Sequence, residues 1–244
     1  MLGLCNNMRM SEHLHNASEN FFQEPELLSQ IREVGVAEYA RKGEDAILSN
    51  QEKGLFAVFD GVGGHGNGRH ASDAAARIVA EELTRAVVDV DSCKTLLRGA
   101  LARANAEIAG PNRNMTTATI LQLIETDNAE VHAVWASVGD TRLYIYRDEE
   151  VTSLTIDEGE GNMIHNAVGS GSNFYVRQVS SLRVKPGDIF MVCSDGITGD
   201  FEHQFLSEKE LESAFSKKSA QESADEFVRL SKKNDDKSVI VVKF

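Results

Sequence analysis

Five consecutive apolar residues, Leu55-Phe56-Ala57-Val58-Phe59, run directly into Asp60-Gly61-Val62-Gly63-Gly64-His65-Gly66-Asn67. Such a run, closed by glycines, reads as a buried strand, so the chain must build a covered sheet around it. A carboxylate at the strand end, followed by glycines that let backbone groups approach a ligand, suits a hard cation or a phosphate. Alone, the turn leaves both readings open.

Strand patterns recur at Val34–Ala37, from Ala46, and at Thr116–Ile124, Glu130–Val138 and Thr141–Arg147, with turns at Asp127-Asn128 and Gly139-Asp140. Further strands are predicted at Val151–Leu154, Phe174–Val179, Asp188–Cys193 and Ser238–Phe244. Helical spacing covers Ala71–Val88 and Asp91–Ile108, the second capped by Asp91 or Ser92. Ser207 and Glu210 form a capping-box pattern for a helix to about Phe215, and another helix covers about Gln221–Lys232. Asp157–Ser172, rich in glycine, reads as a loop. Strands and helix pairs come in blocks without βαβ alternation, which predicts an α+β fold of helix pairs on antiparallel sheets.

With 244 residues and neither an internal repeat nor a linker, residues 31–244 read as one domain. Residues 1–30 read as a polar, loosely held extension with one short helix around Pro25–Gln30. Against 38 acidic residues stand 25 basic ones, a net charge of −13, so no basic stripe is available for nucleic acid. Cys5, Cys93 and Cys193 have neither disulfide nor zinc spacing, and Cys193 sits inside an apolar strand. No stretch is apolar enough to span a membrane, and Glu12, His13 and His15 stand where a signal peptide needs an apolar segment. A cytoplasmic, monomeric protein is expected.

Four strands carry aspartates at or just past an end: Asp60, Asp140, Asp195 and the pair Asp235-Asp236; Glu44-Asp45 precedes a fifth. One such aspartate is an ordinary turn residue. Five sets, gathered by sheet ends, repel one another unless cations neutralise them. All-oxygen ligation favours magnesium or manganese over zinc.

In order, Glu44-Asp45, Asp60-Gly61-Val-Gly-Gly-His65, Met115-Thr-Thr-Ala118, Gly139-Asp140-Thr-Arg142, Cys193-Ser-Asp195-Gly196 and Asp235-Asp236-Lys-Ser-Val-Ile-Val-Val242 resemble the motifs of the metal-dependent type 2C (PPM) protein phosphatases, bacterial type. The resemblance covers about Ile31–Phe244. It implies a four-layer αββα sandwich of two antiparallel sheets flanked by helix pairs, with a cleft at one end. It implies two Mn2+ or Mg2+ ions, with room for a third. Asp60 would bridge them, Gly61 would offer its carbonyl, and Asp195 and Asp236 would complete the protein ligands. Glu44 and Asp45 would hold metal-bound waters, and Asp140 would serve a third ion. The implied activity is hydrolysis of phosphoserine and phosphothreonine in proteins by a metal-bridging water, opposing a Hanks-type kinase. The same chemistry would suit a phosphoserine anti-sigma-factor antagonist, and the alternative is a weak or inactive homologue that binds phosphoproteins.

Some positions depart from the family pattern. The phosphate-binding arginine usually lies five residues before the Glu-Asp aspartate, whereas Arg41, the candidate here, lies four before Asp45. Val62 stands where many eukaryotic members carry a histidine acid, and His65 reads as a structural residue of the turn. Gly199 replaces a frequent aspartate, with Asp200 one residue later. The flap, about Thr155–Asn173, is short and leaves an open cleft.

Overall fold

The computed structural model describes residues 30–63, 67–84, 87, 89–160, 163–199 and 206–244. Residues 1–29, His65 and Asp200 lie outside the described residues, and with them the expected N-terminal extension and the readings placed on that histidine and aspartate. The strands are β1 (Glu33–Tyr39), β2 (Asp45–Asn50), β3 (Leu55–Asp60), β4 (Ala118–Glu125), β5 (Val131–Val138) and β6 (Arg142–Arg147). They continue with β7 (Glu150–Ser153), β8 (Gly159–Glu160), β9 (Met163–Ile164), β10 (Gln178–Arg183), β11 (Ile189–Cys193) and β12 (Lys237–Lys243). The helices are α1 (Gly68–Glu82), α2 (Val90–Ile108), the single turn α3 (Asp195–Thr198), α4 (Glu208–Phe215) and α5 (Ala220–Leu230).

Two five-stranded antiparallel sheets, ordered β1-β12-β11-β6-β7 and β10-β5-β4-β3-β2, stack against each other. The apolar run of β3 is continuous because both of its faces are covered. Phe56 and Val58 point between the sheets, among Leu121, Leu143, Phe190 and Ile240. Leu55, Ala57 and Phe59 point the other way, among Ala75, Ile78, Leu97 and Leu101 of α1 and α2. On the far side, Met191, Val239 and Val241 meet Phe215 and Phe227 of α4 and α5. The result is the four-layer αββα arrangement that the family resemblance implies, and the helix pairs on antiparallel sheets expected from the blocks of strands and helices. Trp135 and Phe190 are core residues of the inter-sheet layer.

Several expected elements are placed differently. The strand predicted at Phe174–Val179 begins at Gln178. Phe174 and Val176 do pack on the helix-side core, which gave the alternation. Yet Gln178 pairs with Ser137, and β5 ends one residue later at Val138, so residues 174–176 run past the end of the partner strand. Within the expected loop 157–172, Gly159 and Glu160 pair with Ile164 and Met163 in a short hairpin. α1 begins at Gly68 and ends at Glu82, earlier than the apolar pattern suggested; Val88, its expected end, lies outside the described residues. α2 is capped by Asp89, whose side chain accepts from the Ser92 amide, rather than by Asp91 or Ser92. The Ser207–Glu210 capping box is present, and Ser219 with Glu222 forms a second at α5.

Candidate active site

Antiparallel pairing brings the acidic strand ends to one end of the sandwich. β2 and β3 set Asp45 directly opposite Asp60. β11 pairs with β12 through Cys193 and Val239, so Asp195 follows one strand as Asp235 and Asp236 precede the other. Asp140 lies in the turn between β5 and β6, next to Gly139, whose φ of +90° favours glycine.

The backbone of Asp60 is fixed first. Its carbonyl accepts from the Thr117 amide and the Thr116 hydroxyl, both at 2.8 Å, and the Val62 amide donates to the Met115 carbonyl at 2.9 Å. Thr116 in turn exchanges two backbone bonds with Val168, which ties the 166–169 segment to the site. Gly61 serves close approach: a Cβ there would lie 2.4 Å from the Gly68 carbonyl carbon and 2.7 Å from the Glu44 oxygen. Gly196 is tighter still, since its Cβ would meet the Asp236 oxygen at 1.7 Å. That glycine is what allows the Asp195 turn and the Asp235-Asp236 segment to sit in contact.

The Asp236 carboxylate, expected as a ligand, is engaged by the backbone of the loop between β1 and β2. Its oxygens accept from the amides of Arg41, Lys42, Gly43 and Glu44 at 2.5, 2.7, 3.1 and 2.7 Å. Burial acts to raise its pKa, but these four donors outweigh it and hold the group below the usual carboxylate range. Asp236 is thus the anchor of the loop carrying Arg41 and Glu44. Its neighbour Asp235 lies 3.1 Å from the Lys42 ammonium and 3.6 Å from that of Lys233. The resemblance implied Asp236 as the ligand of this pair; the hydrogen bonds to the 41–44 loop distinguish the two aspartates.

Desolvation raises Asp45, Asp60, Asp140 and Asp195, and neighbouring negative charge adds to it. The Asp60 carboxyl stands well above the usual range through burial, then through Asp45, Asp195, Asp140 and Asp235. Asp140, 4% exposed, is pushed up to about 7 by burial and then by Asp195 and Asp157, against Arg142 and Lys233. Asp45 reaches about 6 through burial; the Ser238 and Ser194 hydroxyls oppose this, and Asp236 and Asp195 reinforce it. Asp195 is raised by burial despite the Lys233 ammonium, which donates to its Oδ2.

Glu44 lies with its carboxylate toward Gly63 and Gly68, while its carbonyl accepts from the Gly61 amide and the Ser72 hydroxyl. Arg41 is exposed, and its guanidinium donates to the Asn234 carbonyl at 2.5 Å. Cys193 is fully buried, and burial pushes its thiol up to about 12. Sequence reading missed Lys42 and Lys233; the signal available was their spacing, three before Asp45 and two before Asp235.

The donor set fits a hard divalent cation. Both carboxylate oxygens of Asp45 are buried with no well-formed hydrogen bond, the Ser194 and Ser238 hydroxyls being near enough only to ease the charge, and the acids around it are carboxylates. Among the described residues, no three His, Cys, Asp or Glu side chains already converge as a finished ligand set.

A family model described as Stage II sporulation protein E (SpoIIE) matches residues 51–244. The chain is 25% identical over 210 residues to a serine/threonine phosphatase stp of Listeria innocua, covering 75% of this chain and 80% of that one. It is 26% identical over 201 residues to the Listeria monocytogenes serovar 1/2a protein of that name, covering 71% and 77%. Among solved structures, the S. agalactiae serine/threonine phosphatase superposes with a TM-score of 0.74 at 18% identity, over 86% of this chain and 98% of that one. The catalytic domain of the serine threonine protein phosphatase PstP, solved with 2 manganese ions, gives 0.71 at 21%, over 86% and 97%. The fold, the ordered motifs and the family match agree: this chain belongs to the SpoIIE-type domain family of PPM protein serine/threonine phosphatases.

Proposed function

We propose that the protein hydrolyses phosphoserine and phosphothreonine in protein substrates, using divalent cations held at the acidic end of the sandwich. The observation that carries this reading is the gathering of Asp45, Asp60, Asp140, Asp195 and Asp235, whose proximity and burial raise Asp60, Asp140 and Asp45. Asp60, Asp195 and Asp235 are the proposed ligands, with the Gly61 carbonyl; Glu44, Asp45 and Asp140 stand behind them to orient waters or a further ion. Asp236 contributes by holding the 41–44 loop in place. Divalent Mn2+ or Mg2+, if bound by these residues, would lower the pKa of a coordinated water and offset the charge of the phosphoryl oxygens.

Arg41 and Lys42 sit on the lip formed by that loop and supply positive charge for the incoming dianion, the arginine as a planar fork. Neither Cys193 nor Ser194 serves as a nucleophile: both are buried, and the Ser194 hydroxyl accepts from the Ser238 amide. Val62 offers no proton to the leaving oxygen, so an alkoxide must be protonated by water. Aryl phosphates, with better leaving groups, should therefore turn over faster than phosphothreonine peptides, and Val62→His should narrow that gap. The alternative, a weak phosphoprotein-binding homologue, would be expected to have lost these acids, and Asp60, Asp195 and Asp235 are all present.

The test is turnover of p-nitrophenyl phosphate and a phosphothreonine peptide with Mn2+, with Mg2+ and with EDTA. Metal-dependent turnover that falls by about 100-fold or more in Asp60→Asn is expected. Full turnover in chelator, or none with either metal, refutes the reading.

A further inference from the structure

Lys233 lies between α5 and β12, three residues past the helix end, with its side chain folded inward to 18% exposure. Its ammonium donates to Asp195 Oδ2 and lies 3.6 Å from Asp235 Oδ2. It therefore sits between two of the carboxylates assigned above to cation binding, and it feels the charge of Asp60 as well. The neighbouring Lys232 points the other way, 70% exposed and 3.8 Å from Glu210. Lys42 also reaches Asp235, from the solvent side, with 48% exposure.

We propose that Lys233 is a resident monovalent cation of the active site, which occupies Asp195 and Asp235 until a divalent ion displaces it. This rests on the cation-binding role proposed for those aspartates. The physical reason is competition for the same oxygens. A partly buried carboxylate left without a counter-charge is strongly destabilising, so an ammonium tethered beside Asp195 keeps the metal-free fold intact. The same contact opposes metal entry, because a bound divalent ion and an ammonium cannot share Asp195 without repulsion. Lys233 thereby sets the metal concentration at which the site fills, and loading moves the ammonium out of its contact with Asp195.

The experiment is calorimetric titration of Mn2+ into the metal-free full chain, comparing wild type with Lys233→Met, Lys233→Arg and Lys232→Met. Lys233→Met should bind Mn2+ about tenfold more tightly and melt several degrees lower without metal, since one opposing charge is removed. Lys233→Arg should stay near wild type, and so should Lys232→Met. Equal or weaker binding by Lys233→Met, or equal tightening by Lys232→Met, overturns the proposal while leaving the phosphatase reading in place. Absence of Mn2+ binding in every protein overturns both. Should Lys233→Met not fold, the wild-type chain suffices: Mg2+ titration should shift the Lys233 side-chain NMR resonance in step with metal binding. An unmoved resonance refutes the displacement.

Discussion

Asp235 faces Lys42 and Lys233, whereas Asp236 closes the loop at 41–44, so substitution of one or the other separates charge from architecture. Asp236→Ala removes the acceptor for four backbone amides and should destabilise the chain by roughly 2–4 kcal/mol in a urea melt. Asp235→Ala should leave the urea midpoint nearly unchanged yet weaken Mn2+ binding by about tenfold or more. A reversed pattern would return the ligand role to Asp236. The doublet was visible in the sequence, but its division of labour was not. Adjacent residues leaving a turn point in different directions, and only pairing with the 41–44 loop fixes which is which.

Among the elements, the join between α3 and β12 is the tightest close approach in the site. Gly196 has no room for a methyl group against the Asp236 carbonyl, and the Ser231 hydroxyl donates to the Gly196 carbonyl from the other side. Gly196→Ala should cost about 3 kcal/mol and blunt metal binding, because relief must come from moving Asp195 away from Asp235. A stability loss below about 0.5 kcal/mol by thermal melt would show that the segment yields freely. The capping boxes are a milder lever: Ser219→Ala should cost about 1 kcal/mol at α5 and leave metal affinity alone, measured by the same melt and titration. The strand ends and both caps follow from local pattern. The Phe174–Val176 segment shows where pattern misleads, since alternation reports which face is covered and is silent on whether a neighbouring strand is long enough to pair.

For the molecule as a whole, the gathered acids make stability depend on pH and on cations together. Asp140 and Asp45, raised to about 7 and about 6 from an ordinary 3.8, bind protons in the folded state that the unfolded chain has already released. Their contribution is complete below about pH 4 and is lost as pH rises through those folded values. In EDTA the melting temperature should therefore fall between about pH 5 and pH 8, Mg2+ should restore it, and Asp140→Asn should flatten the slope. A melting temperature in EDTA that is flat or rises over that range contradicts this. Among the described residues, no helix is long and apolar enough to cross a membrane.

What the sequence by itself determined is the set of elements and the acids at their ends. Apolar period and glycine placement are local properties, and Leu55–Phe59 with Asp60 already required a strand that ends in a carboxylate. Six short motifs in order were enough to name the fold. Only the tertiary structure decided which carboxylates meet, that Asp236 is used as a loop anchor, and that Lys233 reaches Asp195 from 38 residues away. The reason is physical: those choices depend on strand register and on whether two backbones touch at Gly196, and both are settled only when β11 and β12, distant in the chain, pair side by side.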